Sequence, residues 1–369
     1  MHVVLSGYYG YNNAGDEAIL HAIVSSLRRF DPAIAITVLS AQPEATARLY
    51  RVNAVHRMDP LSVYRALRNA DALVSGGGSL LQDASGFRSI PYYAGIIAMA
   101  QWCRQPVFIY AQGIGPIRQR RFYPLIRSTF RRAAYISVRD EGSAKLLAEL
   151  GIARDRIELV ADPVLTLQPA PSQEIDAIVA SHNLAAPFVA VSVRHWRNNR
   201  FLAEVAAALD RLAERGYAVV LLPLHPPNDV RACQTVQRLM RRRKQTVLLD
   251  SPLTPPQWLG LIGRAALVIG VRLHALVFAA AQHVPMVGIS YDPKIDHFLR
   301  QLGDAPVGTT ETVSTAALVE AALRKLEAGE EERRRLAALV TPLRELAWRP
   351  AQAIVDHFRV NRTPSTMTP

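Results

Sequence analysis

Arg272 and His274 stand two residues apart in Gly270-Val271-Arg272-Leu273-His274-Ala275, directly after the apolar run Ala265-Ala266-Leu267-Val268-Ile269. A guanidinium carries a fixed positive charge, and an imidazole can give or take a proton near neutral pH. Inside a core both groups would need partners, whereas at the end of a buried strand both can meet an anionic ligand. The pair points to an enzyme acting on an acidic substrate. The plain alternative is that both side chains bind carbonyl groups at a strand-to-helix turn.

The arrangement recurs along the chain. Ser137-Val138-Arg139-Asp140 and Ser192-Val193-Arg194-His195 also end a strand in an arginine, whose planar fork suits a carboxylate or a phosphate. Glycine-rich turns follow other strands: Gly7 to Leu20, containing Asn13, Asp16 and Glu17; Ser75 to Asp83, containing Gly77 and Gly78; and Ala111 to Pro116, containing Gln112. Backbone amides in such turns can hold an anion. Their spacing matches neither the dinucleotide fingerprint nor a P-loop, so neither NAD nor ATP is indicated. Polar loops at Leu224 to Asp229 and Ile289 to Lys294 add His225, Asp229, Asp292 and Lys294. The histidines are scattered, HxxxH and CxxC are missing, and there is no G-x-S-x-G, so neither a metal centre nor a serine nucleophile elbow is expected.

The elements that must position these groups alternate between short apolar strands and helices. In the first half the strands are expected at His2–Leu5, Ile34–Leu39, Ala72–Ser75, Val107–Tyr110, Tyr135–Val138 and Ile157–Val160; in the second, at Phe188–Val193, Ala218–Pro223, Thr246–Leu249, Ala266–Ile269 and Met286–Ile289. Such alternation predicts parallel sheets with crossover helices. Asp140 to Gly151 reads as a helix with an acidic cap and a glycine stop. The proline-rich connector Gln168 to Ser172 sets a boundary, giving Rossmann-like domains at 1–168 and 169–340, the second carrying Arg272-Leu273-His274. Two doubly wound domains facing a cleft would line it with Arg272 and His274. The stretch from Glu330 to Val360 reads as helical but interrupted by Pro342 and Pro350, with 341–361 free to pack back on the first domain and Asn361 to Pro369 fraying.

A length of 369 residues suits two domains, and half of the residues are apolar. No apolar run approaches the roughly 18 residues of a membrane span. The amino terminus enters a strand without a secretory pattern, so a cytoplasmic location is the expectation. Cys103 and Cys233 suggest inert thiols rather than a disulfide framework. The net charge of +12 favours anionic partners, with basic runs at Arg241 to Lys244 and at Arg118, Arg120, Arg121, Arg127, Arg131 and Arg132. A solvated helix face explains either run as well. Nucleic acid is disfavoured because the basic residues are scattered over two α/β halves with no recognised module.

Taken in order, Gly10 to Leu20, Gly76 to Asp83, Gln112 to Pro116, Val138 to Ser143, Arg272 to Ala275 and Gly288 to Lys294 resemble the polysaccharide pyruvyl transferases, particularly the bacterial cell-surface anchoring type, CsaB, over about residues 1–300. The resemblance implies a GT-B-like fold of two Rossmann-like domains. It also implies transfer of a pyruvyl group from phosphoenolpyruvate to a lipid-linked or polysaccharide sugar acceptor as a ketal, in the anchoring type an N-acetylmannosamine-containing disaccharide. Arg272, Leu273 and His274 match the family's donor site.

Phosphoenolpyruvate carries a carboxylate and a phosphate, which Arg139, Arg194, Arg272 and the glycine turns can hold, while His274 protonates its methylene carbon. Asn13, Asp16, Gly77, Gly78, Gln112, His225, Asp292 and Lys294 complete the expected substrate contacts. The chemistry needs no cofactor and no metal. A lipid-linked acceptor would bring the protein to the inner face of the cell membrane, where Arg241 to Lys244 could dock on anionic lipid. The competing readings are a sugar-nucleotide-dependent glycosyltransferase and a non-catalytic sensor of anionic sugars.

Overall fold

Two parallel sheets organise the chain in a computed structural model that describes residues 1–83, 86, 88–184 and 187–360. The first sheet is built from β1 (His2–Ser6), β2 (Ala35–Ser40), β3 (Asn53–His56), β4 (Ala72–Ser75), β5 (Gly78–Leu81), β6 (Val107–Ile114), β7 (Tyr135–Val138) and β8 (Ile157–Leu159). Its order is β3-β2-β1-β4-β6-β7-β8, with β5 pairing β6. The second contains β9 (Phe188–Ser192), β10 (Ala218–Leu221), β11 (Thr246–Leu248), β12 (Leu267–Gly270), β13 (Met286–Ser290) and β14 (Gly308–Thr309), in the order β11-β10-β9-β12-β13-β14. That is the Rossmann strand order, and it reverses direction between β9 and β12.

The strands are continuous apolar runs because helices cover both faces of a parallel sheet. Phe188-Val189-Ala190-Val191-Ser192 is buried at every position, as is Leu267-Val268-Ile269-Gly270. In the first half the helices are α1 (Ala14–Phe30), α2 (Pro43–Tyr50), α3 (Pro60–Arg68), α4 (Ser89–Trp102), α5 (Tyr123–Arg131) and α6 (Glu141–Glu149). The second half adds α7 (Ser172–Ser181), α8 (Phe201–Ala213), α9 (Asn228–Leu239), α10 (Pro255–Gly263), α11 (Leu273–Ala281) and α12 (Pro293–Gln301), and α13 (Thr315–Val360) closes the described chain. Asp140 caps α6 by accepting from the Ser143 amide at 2.7 Å, and Gly151 ends that helix region at φ +83°.

The described residues fall into two compact units. One comprises Met1–Tyr11, Ile19–Thr166 and the residues from Leu343 onward; the other comprises Asn12–Ala18 and Leu167–Pro342. Within the first, the end of α13 is tied down by Arg344 Nε donating to the Leu165 carbonyl at 2.9 Å and by the His357 and Phe358 rings packed on Phe108.

Three expectations from the sequence need correction. The segment Ala111 to Pro116 is not a loop throughout, since β6 continues to Ile114 past an irregularity at Ala111, whose φ is +45°. Likewise Gly78–Leu81, read as loop, pairs with β6 as β5. Finally, Pro342 and Pro350 do not interrupt α13; its one non-helical residue is Gly329, at φ 42° and ψ −111°. A proline removes a single backbone donor, and the buried Val340, Ala347, Ala351 and Ile354 hold the helix around both prolines. The expected fraying of Asn361 to Pro369 lies outside the described residues.

Around Gly329 the bend is fixed by charge. Lys325 Nζ reaches both oxygens of Asp304, at 2.9 and 3.0 Å, and Glu332 at 2.6 Å. From the next turn Arg335 binds Asp304 and Glu332, each at 2.7 Å, together with the Leu302 carbonyl at 2.7 Å.

Candidate functional site

Arg194 and Arg272 follow the two strands, β9 and β12, that flank the reversal point of the second sheet. Register fixes this: Gly270 pairs with Ser192, and the Val271 amide donates to the Ser192 carbonyl at 2.9 Å. At such a reversal the crossover helices depart to opposite faces of the sheet, leaving a crevice at the carboxyl ends of the strands.

Arg272 is the residue just before α11, and its fork closes on one carboxylate. Nε donates to Asp229 Oδ2 at 2.9 Å and Nη2 to Oδ1 at 2.5 Å. Asp229 is fully buried in the first turn of α9, and it also accepts the His225 amide at 3.0 Å. Burial opposes a charged guanidinium, yet Asp229 holds Arg272 above its ordinary pKa, with smaller help from Tyr291 and Asp16. Arg272 is therefore a fixed cation with its position dictated by α9.

His274 lies one residue into α11, against the first turn of α1. Its ring covers Gly15 so closely that a β-carbon there would collide with Nδ1. Asn13 shapes that turn: its side-chain oxygen accepts the Gly15 amide at 3.2 Å and its carbonyl accepts the Glu17 amide at 2.9 Å. The Ala14 amide donates to the Leu224 carbonyl at 2.8 Å, which brings the turn to the residue preceding His225. Burial, then Arg272 and Arg194, hold the His225 imidazole below its ordinary pKa, with Asp229 opposing. Leu273 is buried and anchors the start of α11.

Arg194 takes a different partner. Its Nη1 donates to the Tyr291 hydroxyl at 2.9 Å, and its guanidinium lies over the Trp196 and Tyr291 rings, 5.0 and 4.7 Å from their centroids. Lys294 Nζ stands 5.6 Å from the same Tyr291 ring. Burial pushes the Tyr291 phenol up, but Lys294, Arg194 and Arg272 together hold it below its ordinary value. Asp292 caps α12 by accepting the Lys294 amide at 3.1 Å and lies 3.3 Å from Lys294 Nζ. The second unit thus gathers Asn13, Asp16, Arg194, His225, Arg272, Leu273, His274, Asp292 and Lys294. Three cations surround one phenol, and this arrangement suits a ligand with more than one negative charge.

The remaining candidates lie in the first unit. Arg139 is buried in an ion pair with Asp162 at 2.6 Å, and its Nη2 donates to the Ser79 hydroxyl at 3.3 Å. Gln112 is fully buried, and its amide ties β6 to β4 through the Ser75 hydroxyl and carbonyl at 2.7 and 3.1 Å. Gly78 opens β5 at φ +93°, a backbone conformation that favours glycine, and Gly77 packs beside Ile19. Around Arg241 to Lys244, the Arg241 and Arg242 amides bind the Asp210 carboxylate at 3.0 and 2.9 Å, and the Arg243 guanidinium binds the Met240 and Arg238 carbonyls. Of the two thiols, Cys103 is half-buried, and burial pushes that of Cys233 up, far from a reactive state.

Sequence reasoning passed over Tyr291, Trp196 and Gly15. Tyr291 carries a usable signal, because it follows the apolar strand β13 as Arg272 follows β12. Gly15 lies in the glycine-rich turn from Gly7 to Leu20, but its contact with His274, like that of Trp196 with Tyr291, joins residues far apart in the chain.

Two parallel α/β sheets of this kind define a GT-B-like fold, shared with sugar-nucleotide enzymes of known structure. The chain is similar to a UDP-GlcNAc 2-epimerase from Neisseria meningitidis bound to UDP-GlcNAc, with a TM-score of 0.67 and 13% identity, covering 98% of this chain and 100% of that one. It is also similar to a glycosyltransferase from Rickettsia africae ESF-5, with a TM-score of 0.62 and 11% identity, covering 98% and 99%. In sequence it is 21% identical to the amylovoran biosynthesis protein AmsJ of Erwinia amylovora, over 82% of this chain and 86% of that protein. Residues 13–293 match the polysaccharide pyruvyl transferase model, and the chain belongs to that family.

Proposed function

We propose that the protein transfers the pyruvyl group of phosphoenolpyruvate to two hydroxyls of one sugar residue in a polysaccharide precursor, forming a ketal and releasing phosphate. The observation that carries this reading is the cation group formed by Arg194 and Arg272 at the reversal point of the second sheet and by Lys294 beside the Tyr291 ring, with an imidazole, His274, in the same segment as Arg272. Phosphoenolpyruvate presents a carboxylate and a phosphate on one three-carbon frame, and separated cations hold both.

His274 gives a proton to the methylene carbon of the donor, leaving an electron-poor C2 that the donor's own oxygen stabilises. One sugar hydroxyl forms a bond to C2, the bond from C2 to the phosphate oxygen breaks, and the second hydroxyl closes the ring. Two hydroxyl protons are lost overall; one balances the new methyl group and the other leaves with phosphate. Arg272, Arg194 and Lys294 stabilise the departing anion. Asp16, Asn13 and His225 frame the same turn, and Leu273 sets the spacing of Arg272 and His274. Arg139, Gln112, Gly77 and Gly78 belong to a supporting set in the first unit.

For the acceptor, the reading favours an N-acetylmannosamine unit of a lipid-linked disaccharide in cell-wall polysaccharide synthesis, of the S-layer-anchoring kind. Its support is the sequence likeness to the anchoring type. In this reading the transfer takes place in the cytoplasm, at the inner face of the cell membrane where a lipid-linked acceptor lies.

The test is phosphate release from phosphoenolpyruvate with a panel of lipid-linked and soluble N-acetylmannosaminides, run beside UDP- and GDP-sugars. Acceptor-dependent phosphate release with an acid-labile ketal product is the expected result. Turnover of a nucleotide sugar instead would move the protein to the glycosyltransferases, and donor binding without turnover would make it a sensor.

A further inference from the structure

The first unit carries a surface that the transfer chemistry does not use. Helix α4, Ser89–Trp102, contains no charged residue. One stripe of it, Ile90, Tyr93, Ala94, Ile97 and Ala100, is buried against the sheet. The opposite stripe, Pro91, Gly95, Ala98 and Trp102, follows the helical repeat and faces outward, so the uncharged helix is apolar on both of these faces. Trp102 is 75% exposed.

Neighbouring helices extend the patch. The Trp102 ring lies 5.7 Å from that of Tyr64 on α3, whose outer face also presents Leu61, 55% exposed, after Met58, 64% exposed. On the other flank, Gln101 Nε2 donates to the Thr129 carbonyl of α5 at 2.7 Å. Exposed arginines edge both sides: Arg65 and Arg68 on α3, Arg104 after α4, and Arg127, Arg131 and Arg132 on and after α5. Between Asp83 and Asp140 the sequence holds nine arginines and no acidic residue. Of the acids near the patch, Asp59 caps α3 and Asp83 accepts the Arg118 and Gln119 amides, while exposed Glu149 lines a groove with Arg127 and Arg131 at the α5 edge.

We propose that the outer faces of α3, α4 and α5 form a docking surface for an anionic phospholipid bilayer. An outward tryptophan with leucine and methionine beside it enters the acyl boundary, while the flanking arginines remain at headgroup level and meet lipid phosphate. Charge decides against the other occupants of an apolar patch. A second copy seated on the same face would set these arginines against their own counterparts across the two-fold axis. A nucleic acid would match the arginines but leave the apolar stripe of α4 uncovered.

Full-length protein is sedimented with vesicles of phosphatidylcholine alone and of phosphatidylcholine mixed with phosphatidylglycerol, at low and high salt. The expected result is binding that requires phosphatidylglycerol and weakens as salt rises. Each arginine near an anionic surface contributes on the order of fivefold, so Arg65→Glu with Arg68→Glu should lower partition by at least about 25-fold. Trp102→Ser should lower it roughly tenfold, because the immersed ring is lost. These side chains are exposed, so the melting temperature should stay near wild type. As a readout independent of any destabilised variant, brominated lipid should quench wild-type fluorescence more than that of Trp102→Phe. The proposal is overturned by absence of vesicle binding at low salt, by binding that both variants retain in full, or by a concentration-dependent dimer that Trp102→Ser abolishes. None of these outcomes depends on which donor the enzyme uses.

Discussion

The imidazole of His274 rests on the bare α-carbon of Gly15, in the first turn of α1. Elsewhere in a helix, alanine in place of glycine would stabilise by about 0.5–1 kcal/mol. Here the added methyl meets Nδ1, and the ring must turn away. Gly15→Ala should therefore lower acceptor-dependent phosphate release by roughly 100-fold, the scale of a displaced proton donor, while circular dichroism stays unchanged. Full activity in that variant would separate His274 from the proton transfer.

Asp229 and Arg272 form one unit. Asp229→Ala strands a buried guanidinium and should cost about 3–5 kcal/mol of stability, measured by denaturant titration. Arg272→Lys keeps the charge but loses the fork, so the melting temperature should fall less than with Asp229→Ala while KM for phosphoenolpyruvate rises.

Tyr291 should ionise below the ordinary phenol value as pH rises. Burial opposes that ionisation, but Lys294, Arg194 and Arg272 outweigh it. The unfolded chain keeps this proton up to a pH of about 10. In the window between the lowered native value and that one, the unfolded state binds more protons, so stability contributed by this group grows with pH. Ultraviolet titration of Tyr291→Phe should lose absorbance change that wild type shows below the ordinary phenol pKa. Because Arg194 also loses its 2.9 Å acceptor, KM for phosphoenolpyruvate should rise about tenfold.

Glu332 governs the acid limit of the bend at Gly329. Burial favours its neutral form, yet Arg335 and Lys325 hold its carboxyl below the ordinary range. On acidification the unfolded chain is protonated first, so this stabilisation is complete above the ordinary glutamate pKa and disappears as pH falls through the native value. Glu332→Gln should cost about 2 kcal/mol at neutral pH, a value reduced from that of a fully buried pair because Arg335 is partly solvated. In strong acid its melting temperature should converge on that of wild type.

Much of the fold is legible in the sequence because buried parallel strands must be apolar throughout. Ala72–Ser75 and Tyr135–Val138 are expected and observed with identical limits. The strands that escape detection are those without that pattern: β3 is half polar at the sheet edge, β5 hides in a glycine run, and β14 is only the pair Gly308–Thr309. At the site, the strand-end arginines are visible because charge at the end of an apolar run is conspicuous. Their partners are not. Asp162 pairs with Arg139 and Asp229 with Arg272 across separations that no local spacing encodes, and only the strand order brings Ser192 beside Gly270.

The return of α13 to the first unit has a consequence for biosynthesis. Phe108, in a strand of the amino-terminal half, receives its His357 and Phe358 neighbours from a segment translated after all of the second unit. A nascent chain can close the second core while the first still lacks its last helix. The apolar surface around Phe108 therefore waits for that segment to emerge from the ribosome, and a chaperone has its opportunity in the interval.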